Sequence, residues 1–203
     1  MPKEKVRDIL HHAMDHQYGV AAVNTINIES AACIIKAAER ERVPIIVQFW
    51  PGFEDFTALK HIAFATCDMA EKASVPVGIH LDHATSFDTA IRGIRDGFPS
   101  VMVDGSGSPV EENIALTRAV SRIAHIFGVD VEAELGHVGD GDCLEDITNM
   151  AHYTDPKMAA NFVEQTRCDA LAVAVGSAHG AYIQTPNLDF ERICEIRREV
   201  NIP

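Results

Sequence analysis

The chain has 203 residues, 47% of them hydrophobic, with 30 acidic side chains against 17 basic ones and a formal charge of −13. That length buries one sizeable core, so a single domain over residues 1–203 is expected. The acidic balance, with no stripe of Lys and Arg along any element, excludes nucleic acid and anionic membranes as natural partners.

The opening MPKEKVRDILHHAMDH carries charges throughout, so it reads as a helix and neither as a signal peptide nor as a membrane span. Six β-rich apolar runs follow: VAAVN at 20–24, PIIVQF at 44–49, VPVGIHLD at 75–82, SVMVDG at 100–105, VDVEAELG at 129–136 and ALAVAVG at 170–176. Most are continuous rather than alternating, which predicts strands apolar on both faces in a parallel sheet covered by helices. Ser86 is placed to cap FDTAIRGIRD, with Gly97 as its left-handed stop. Ser108-Pro109-Val110-Glu111 reads as an N-cap, N1 proline and capping-box acid, and Gly128 closes that helix. Asp155-Pro156 opens another, and DFERICEIRREV is the last, with Asn201-Ile202-Pro203 reading as the turn into a seventh strand. Cys33, Cys67, Cys143, Cys168 and Cys194 form no C-x-x-C pair, as expected of reduced thiols in cytoplasm.

Strict alternation of strand and helix leaves a doubly wound open sheet or a (β/α)8 TIM barrel. Polar groups close at least five of the runs: Asn24, Asp82 with His83, Asp104, Glu134 and His179. A barrel points every strand end at one centre, whereas an open sheet gathers its site at one switch point, so the pattern predicts the barrel. Eight units take about 250 residues. Six are present, so the domain is expected to be truncated before the seventh strand.

Two strand-end imidazoles, His83 and His179, are candidate zinc ligands. Asp82 is adjacent to His83, and neighbours in a strand point to opposite faces unless the strand is ending in a turn, so Asp82 is assigned a proton-transferring role beside the metal. Asp104 and Glu134 offer hard oxygens to a second cation, divalent or monovalent, or else cap the helices that follow. His80 alternates with Asp82 and is placed to orient it. His11, His12, His16, His61 and His125 fall on predicted helices, while His137 and His152 flank a loop and reach solvent or substrate.

The runs HLDHATSFDTAIRGIRDGFPSVMVDGS, NIALTRAVSRIAHIFGVDVEAELGHVG and DALAVAVGSAHGAY closely resemble the class II, zinc-dependent ketose-bisphosphate aldolases. AAVNTINIESAACIIKAAERERVPIIVQ matches the first two strands and first helix of that family, which acts on fructose-1,6-bisphosphate or tagatose-1,6-bisphosphate. The resemblance implies that His83 and His179 bind Zn2+, that Asp104 and Glu134 hold a second metal ion, and that Asp82 exchanges a proton with the aldehyde-side oxygen. Gly180 resembles the residue whose backbone faces the dihydroxyacetone phosphate half, and Asn24 lies toward the same pocket.

Departures are equally specific. The family's third zinc histidine sits in a His-Gly-Gly-Ser type loop after the seventh strand, and the phosphate-binding loops follow strands seven and eight, all beyond Pro203. Many relatives follow AELG with a Gly-Gly-x-Glu-Asp loop carrying a catalytic acid; here the stretch reads GHVGDGDCLEDITNM, with Glu145 the candidate and Asp140 and Asp142 as alternatives that spacing does not separate. Trp50 stands where many relatives carry a small or hydroxylated residue, and either reshapes the pocket or packs under the loop.

The leading function is therefore reversible, metal-dependent cleavage of a ketose phosphate to dihydroxyacetone phosphate and an aldehyde, by a cytoplasmic homo-oligomer, dimer or tetramer. The 203-residue chain alone is expected to be inactive. The alternatives are a non-catalytic or truncated homologue serving as a binding or assembly module, and a related metal-dependent lyase with another aldehyde partner.

Overall fold

A computed structural model describes residues 3–145 and 149–203. Helix α1 (Val6–His16) leads into β1 (Ala21–Asn24), α2 (Ile28–Glu41), β2 (Ile45–Phe49), α3 (Leu59–Lys72) and β3 (Val77–Ala84). There follow α4 (Phe87–Asp96), β4 (Ser100–Val103), α5 (Val110–Ile126), β5 (Asp130–Leu135), α6 (Pro156–Thr166), β6 (Ala170–Val173) and α7 (Phe190–Glu199). All neighbouring strands pair in parallel, in the order β1-β2-β3-β4-β5-β6. A doubly wound sheet reverses its strand order at a switch point, and this one does not. It is a curled wall of six strands alternating with helices, six units of a TIM barrel.

The two faces of that wall differ. Val47, Ile79, Leu81, Val101 and Val131 are at most 1% exposed and form the core with the helices. The other face departs from the apolar expectation, for it carries Gln48, His80, Ser100 and Glu132. His80 places Nδ1 2.8 Å from Ser100 Oγ and Nε2 3.3 Å from a Glu132 oxygen. Burial drives both toward their neutral forms, lowering His80 to about 4 and raising Glu132 to about 7. A polar layer is thus set below the mouth of the wall.

Helix α1 crosses the opposite, N-terminal end. The Arg7 backbone N–H donates to Asp130 at the start of β5, and its guanidinium donates to Asp169 just before β6. Gly78 permits this crossing, since a β-carbon there would lie 2.9 Å from Val6 Cγ2. Asp169 also accepts from Val131 N–H at 2.8 Å and pairs with His125 Nε2 at 2.9 Å, so one buried carboxylate joins α1, α5, β5 and β6.

Most helix ends are as read. Ser86 and Asp155 accept from the N–H groups of Thr89 and Met158, and Gly97 and Gly128 sit at φ +104 and +69. Ser108 is the correction: Pro109 keeps ψ at 146° and is itself the residue before the helix, which begins at Val110 without a side-chain cap. Beyond α7, Pro203 accepts a hydrogen bond from Leu171 N–H, so the last described residues run beside β6. Among the described residues no helix is long and apolar enough to cross a membrane.

Candidate active site

Four strand ends and the loop after β6 deliver polar side chains to one cavity of about 780 Å³ at the C-terminal mouth of the wall. Asn24, Asp82, His83, Asp104, Glu134 and His179 all line it. Asp82 and His83 both reach it although adjacent, and the register shows how. Between Leu81 and Ala84 strand β3 advances three residues while β4 advances two, from Val101 to Val103, so β3 carries one extra residue. His83 takes the left-handed conformation at φ +48, uncommon for a residue with a side chain, and this turns its imidazole to the same side as Asp82. The strand ends in a bulge rather than a plain turn.

Asp82 is fixed by two amides. Asn24 Nδ2 donates to Oδ2 and Gln48 Nε2 to Oδ1, each at 2.9 Å. A carboxylate offers only acceptors, so both amides must present their NH2 groups. Gln48 was not singled out in the sequence, and His80, placed there to orient Asp82, instead bonds Ser100 one layer deeper.

His83 Nδ1 lies 2.9 Å from Asp104 Oδ2 and 4.0 Å from Glu134 Oε2. The hydrogen bond that His83 donates to Asp104 raises the imidazole to about 9 against the opposing effect of burial. Burial would raise Asp104, but hydrogen bonds from His83 and from the Ser106 hydroxyl and backbone outweigh it and hold the carboxyl at about 2. Glu134 is pushed up to about 7, by burial first and then by the negative charge of Asp104. The His83–His179 ring centroids are 5.0 Å apart, nearly edge to face.

His179 arrives through a loop zipper. Its N–H donates to Gly139 O, its carbonyl accepts from Gly141 N–H, and its Nδ1 lies 3.1 Å from Val138 O. A carbonyl can only accept, so Nδ1 carries a proton, and Nε2 is the ring nitrogen left to meet a ligand. The same zipper sets Asp140 on the cavity wall. Glu145 is exposed and stands outside the lining, as does Asp142; Gly180, exposed at φ +73, adjoins the lining residue His179 without joining it.

The donor set fits a divalent cation. One ligand atom from each of His83, Asp104 and Glu134 lies within 4.8 Å of the others, and the His179 ring stands beside that of His83. Mixed imidazole and carboxylate donors suit zinc and its first-row neighbours. Residues that the sequence divides between two ions are gathered here around one histidine.

The profile described as fructose-bisphosphate aldolase class-II matches residues 4–203. The chain belongs to that family. The uncharacterized protein YdjI of Escherichia coli K12 is 41% identical over 191 residues, covering 94% of this chain and 69% of the relative. A probable fructose-bisphosphate aldolase of Bacillus subtilis 168 is 40% identical over 211 aligned residues, covering 100% and 72%. The crystal structure of the YdjI aldolase superposes with a TM-score of 0.88 at 37% identity, over 99% of this chain and 71% of that one. A putative fructose-1,6-bisphosphate aldolase from Coccidioides immitis gives 0.85 at 29%, over 96% and 69%. Among class II aldolases, then, this chain matches roughly seven tenths of each relative's length, and its cavity occupies the C-terminal barrel face where such sites lie.

Proposed function

We propose that the intact protein is a lyase that cleaves a ketose phosphate to dihydroxyacetone phosphate and an aldehyde, with a divalent ion, zinc by its donors, held by His83, His179 and the Asp104–Glu134 carboxylates. The observation that carries this reading is the clamped Asp82 standing beside the His83 cluster: its Oδ1 is 3.9 Å from His83 Nε2. The ion would supply Lewis-acid stabilisation of the negative charge that develops on the ketone side as the carbon–carbon bond breaks.

The chain's own groups do the rest. Asp82 takes the proton from the hydroxyl on the far side of the scissile bond, and that hydroxyl carbon becomes the aldehyde carbon. The bonding electron pair passes to the ketone half, giving an enediolate. With both Asp82 oxygens already engaged by Asn24 and Gln48, the carboxylate cannot rotate, so its proton-accepting lone pairs stay aimed into the cavity. An acid of the loop after β5 returns a proton to the enediolate carbon; Glu145 is the candidate, with Asp140 and Asp142 as alternatives, and of the three Asp140 is the one on the wall. In the reverse direction Asp82 protonates the new alkoxide.

His83→Ala and His179→Ala in the intact protein should each remove bound metal and aldol cleavage together. Metal content by plasma mass spectrometry, beside dihydroxyacetone phosphate release, tests this. Full metal stoichiometry in both variants would sink the assignment.

A further inference from the structure

Ser106 lies on the cavity wall beside the His83 cluster, in the turn that follows β4. The contacts of its neighbour Asp104 show what it does there. The Asp104 backbone N–H donates to Ala84 O at 3.0 Å, which pins the residue to β3 just past the bulge. Asp104 Oδ1 accepts twice from Ser106, from the hydroxyl at 2.6 Å and from the backbone N–H at 3.1 Å. The shorter of these has the length of a hydroxyl donating to an ionised carboxylate. Oδ2 lies 2.9 Å from His83 Nδ1. One oxygen is thus occupied by the turn, while the other faces the imidazole.

The turn itself is held from outside the site. Asn113 of α5 is buried, and its Nδ2 donates to Glu134 O at 2.8 Å. Gly105 packs on this amide so closely that a β-carbon there would lie 2.5 Å from Asn113 Oδ1. The backbone around Ser106 is therefore fixed to the end of β5 by groups other than its hydroxyl.

We propose that Ser106 is a positioning residue that makes Asp104 a single-oxygen donor, and so sets both the affinity of the site for a first-row divalent ion and the number of oxygens that ion receives. Without the hydroxyl, Oδ1 keeps only the longer backbone bond, and the carboxylate can turn about its Cβ–Cγ bond. Oδ2 then drifts from His83 Nδ1, and Oδ1 is released to reach the ion. Groups that orient metal ligands in this way commonly contribute about 10–100-fold to affinity. This inference rests on the metal-binding reading of the site, and the test separates the two.

The intact protein, stripped of metal, is titrated with Zn2+ against a chromophoric chelator and with Co2+ by visible absorption, both without substrate. Ser106→Ala should weaken zinc binding by about 10–100-fold. Its cobalt form should absorb more weakly, as expected when a carboxylate adds its second oxygen to a near-tetrahedral ion. Ser106→Thr keeps the hydroxyl and should bind zinc within about threefold of wild type, with the wild-type cobalt spectrum. An unchanged melt of metal-free Ser106→Ala shows that it is folded. A Ser106→Ala variant that binds zinc as wild type does, or that weakens with an unaltered cobalt spectrum, overturns the proposal and leaves the metal reading standing, as does a Ser106→Thr variant as weak as Ser106→Ala. Wild type that takes up neither ion overturns both.

Discussion

At the scale of single residues, the site depends on how two side chains are aimed. His83 reaches the cavity only because the extra residue in β3 tolerates a left-handed φ, and Asp82 keeps its orientation only through Asn24 and Gln48. Asp82→Ala in the intact protein should leave metal content nearly intact and slow turnover by about 10²–10⁴-fold, the usual worth of a general acid or base. Gln48→Ala frees one carboxylate oxygen without touching the His83 cluster, so it should lower kcat by about tenfold with little change in metal content. Turnover near wild type in Asp82→Ala would mean that another group carries the proton. The ends of the apolar runs were legible because His, Asp and Glu are conspicuous there. Gln48 was not: an amide inside a strand signals nothing until the register sets it beside Asp82. For the same reason the sequence suggested that His80 serves Asp82, while the paired strands give it Ser100 and Glu132.

At the scale of elements, local chemistry sets most boundaries and tertiary pairing sets the others. Ser86, Gly97, Gly128 and Asp155 act within a few residues of their own helices, which is why they could be read. Ser108 has the right type and spacing, but the extended backbone of Pro109 starts the helix one residue late and takes the hydroxyl out of capping position. Strand β3 runs to Ala84 rather than to Asp82, because pairing with Val103 of β4 resumes after the bulge. Nothing in the apolar pattern records that pairing. The cap on α6 gives a direct check: Asp155→Ala removes the acceptor for Met158 N–H, 2.8 Å away, and should cost about 1 kcal/mol in urea unfolding with an unchanged m-value. No loss of stability would show that Pro156 alone sets the start of the helix.

At the scale of the whole molecule, the sequential strand order makes a wall with two edges, and the physics of those edges can be tested on a polypeptide limited to residues 1–203. All four residues of β1 are exposed, and among the described residues β1 pairs only with β2. At the far edge β6 pairs with β5, and Leu171 N–H meets Pro203 O. Val23, Ile26 and Ile28 are also exposed, by 37%, 51% and 41%, so an open backbone edge lies beside apolar side chains. Such an edge invites pairing with another chain. At roughly 25 cal/mol per Å², even about 300 Å² of apolar surface left in water costs several kcal/mol, comparable with the whole stability of a domain. The charge of −13 opposes association, but at physiological salt its reach shrinks to about 8 Å, too short to keep strand edges apart once they meet. Residues 1–203 expressed alone should therefore associate with rising concentration, hold metal poorly and turn over little substrate. A polypeptide carrying two further βα units should give a defined species and a cooperative melt. Sedimentation velocity, metal content and dihydroxyacetone phosphate release on both forms decide the matter, and a monodisperse 1–203 with one tightly bound zinc and steady turnover would show that six strands suffice.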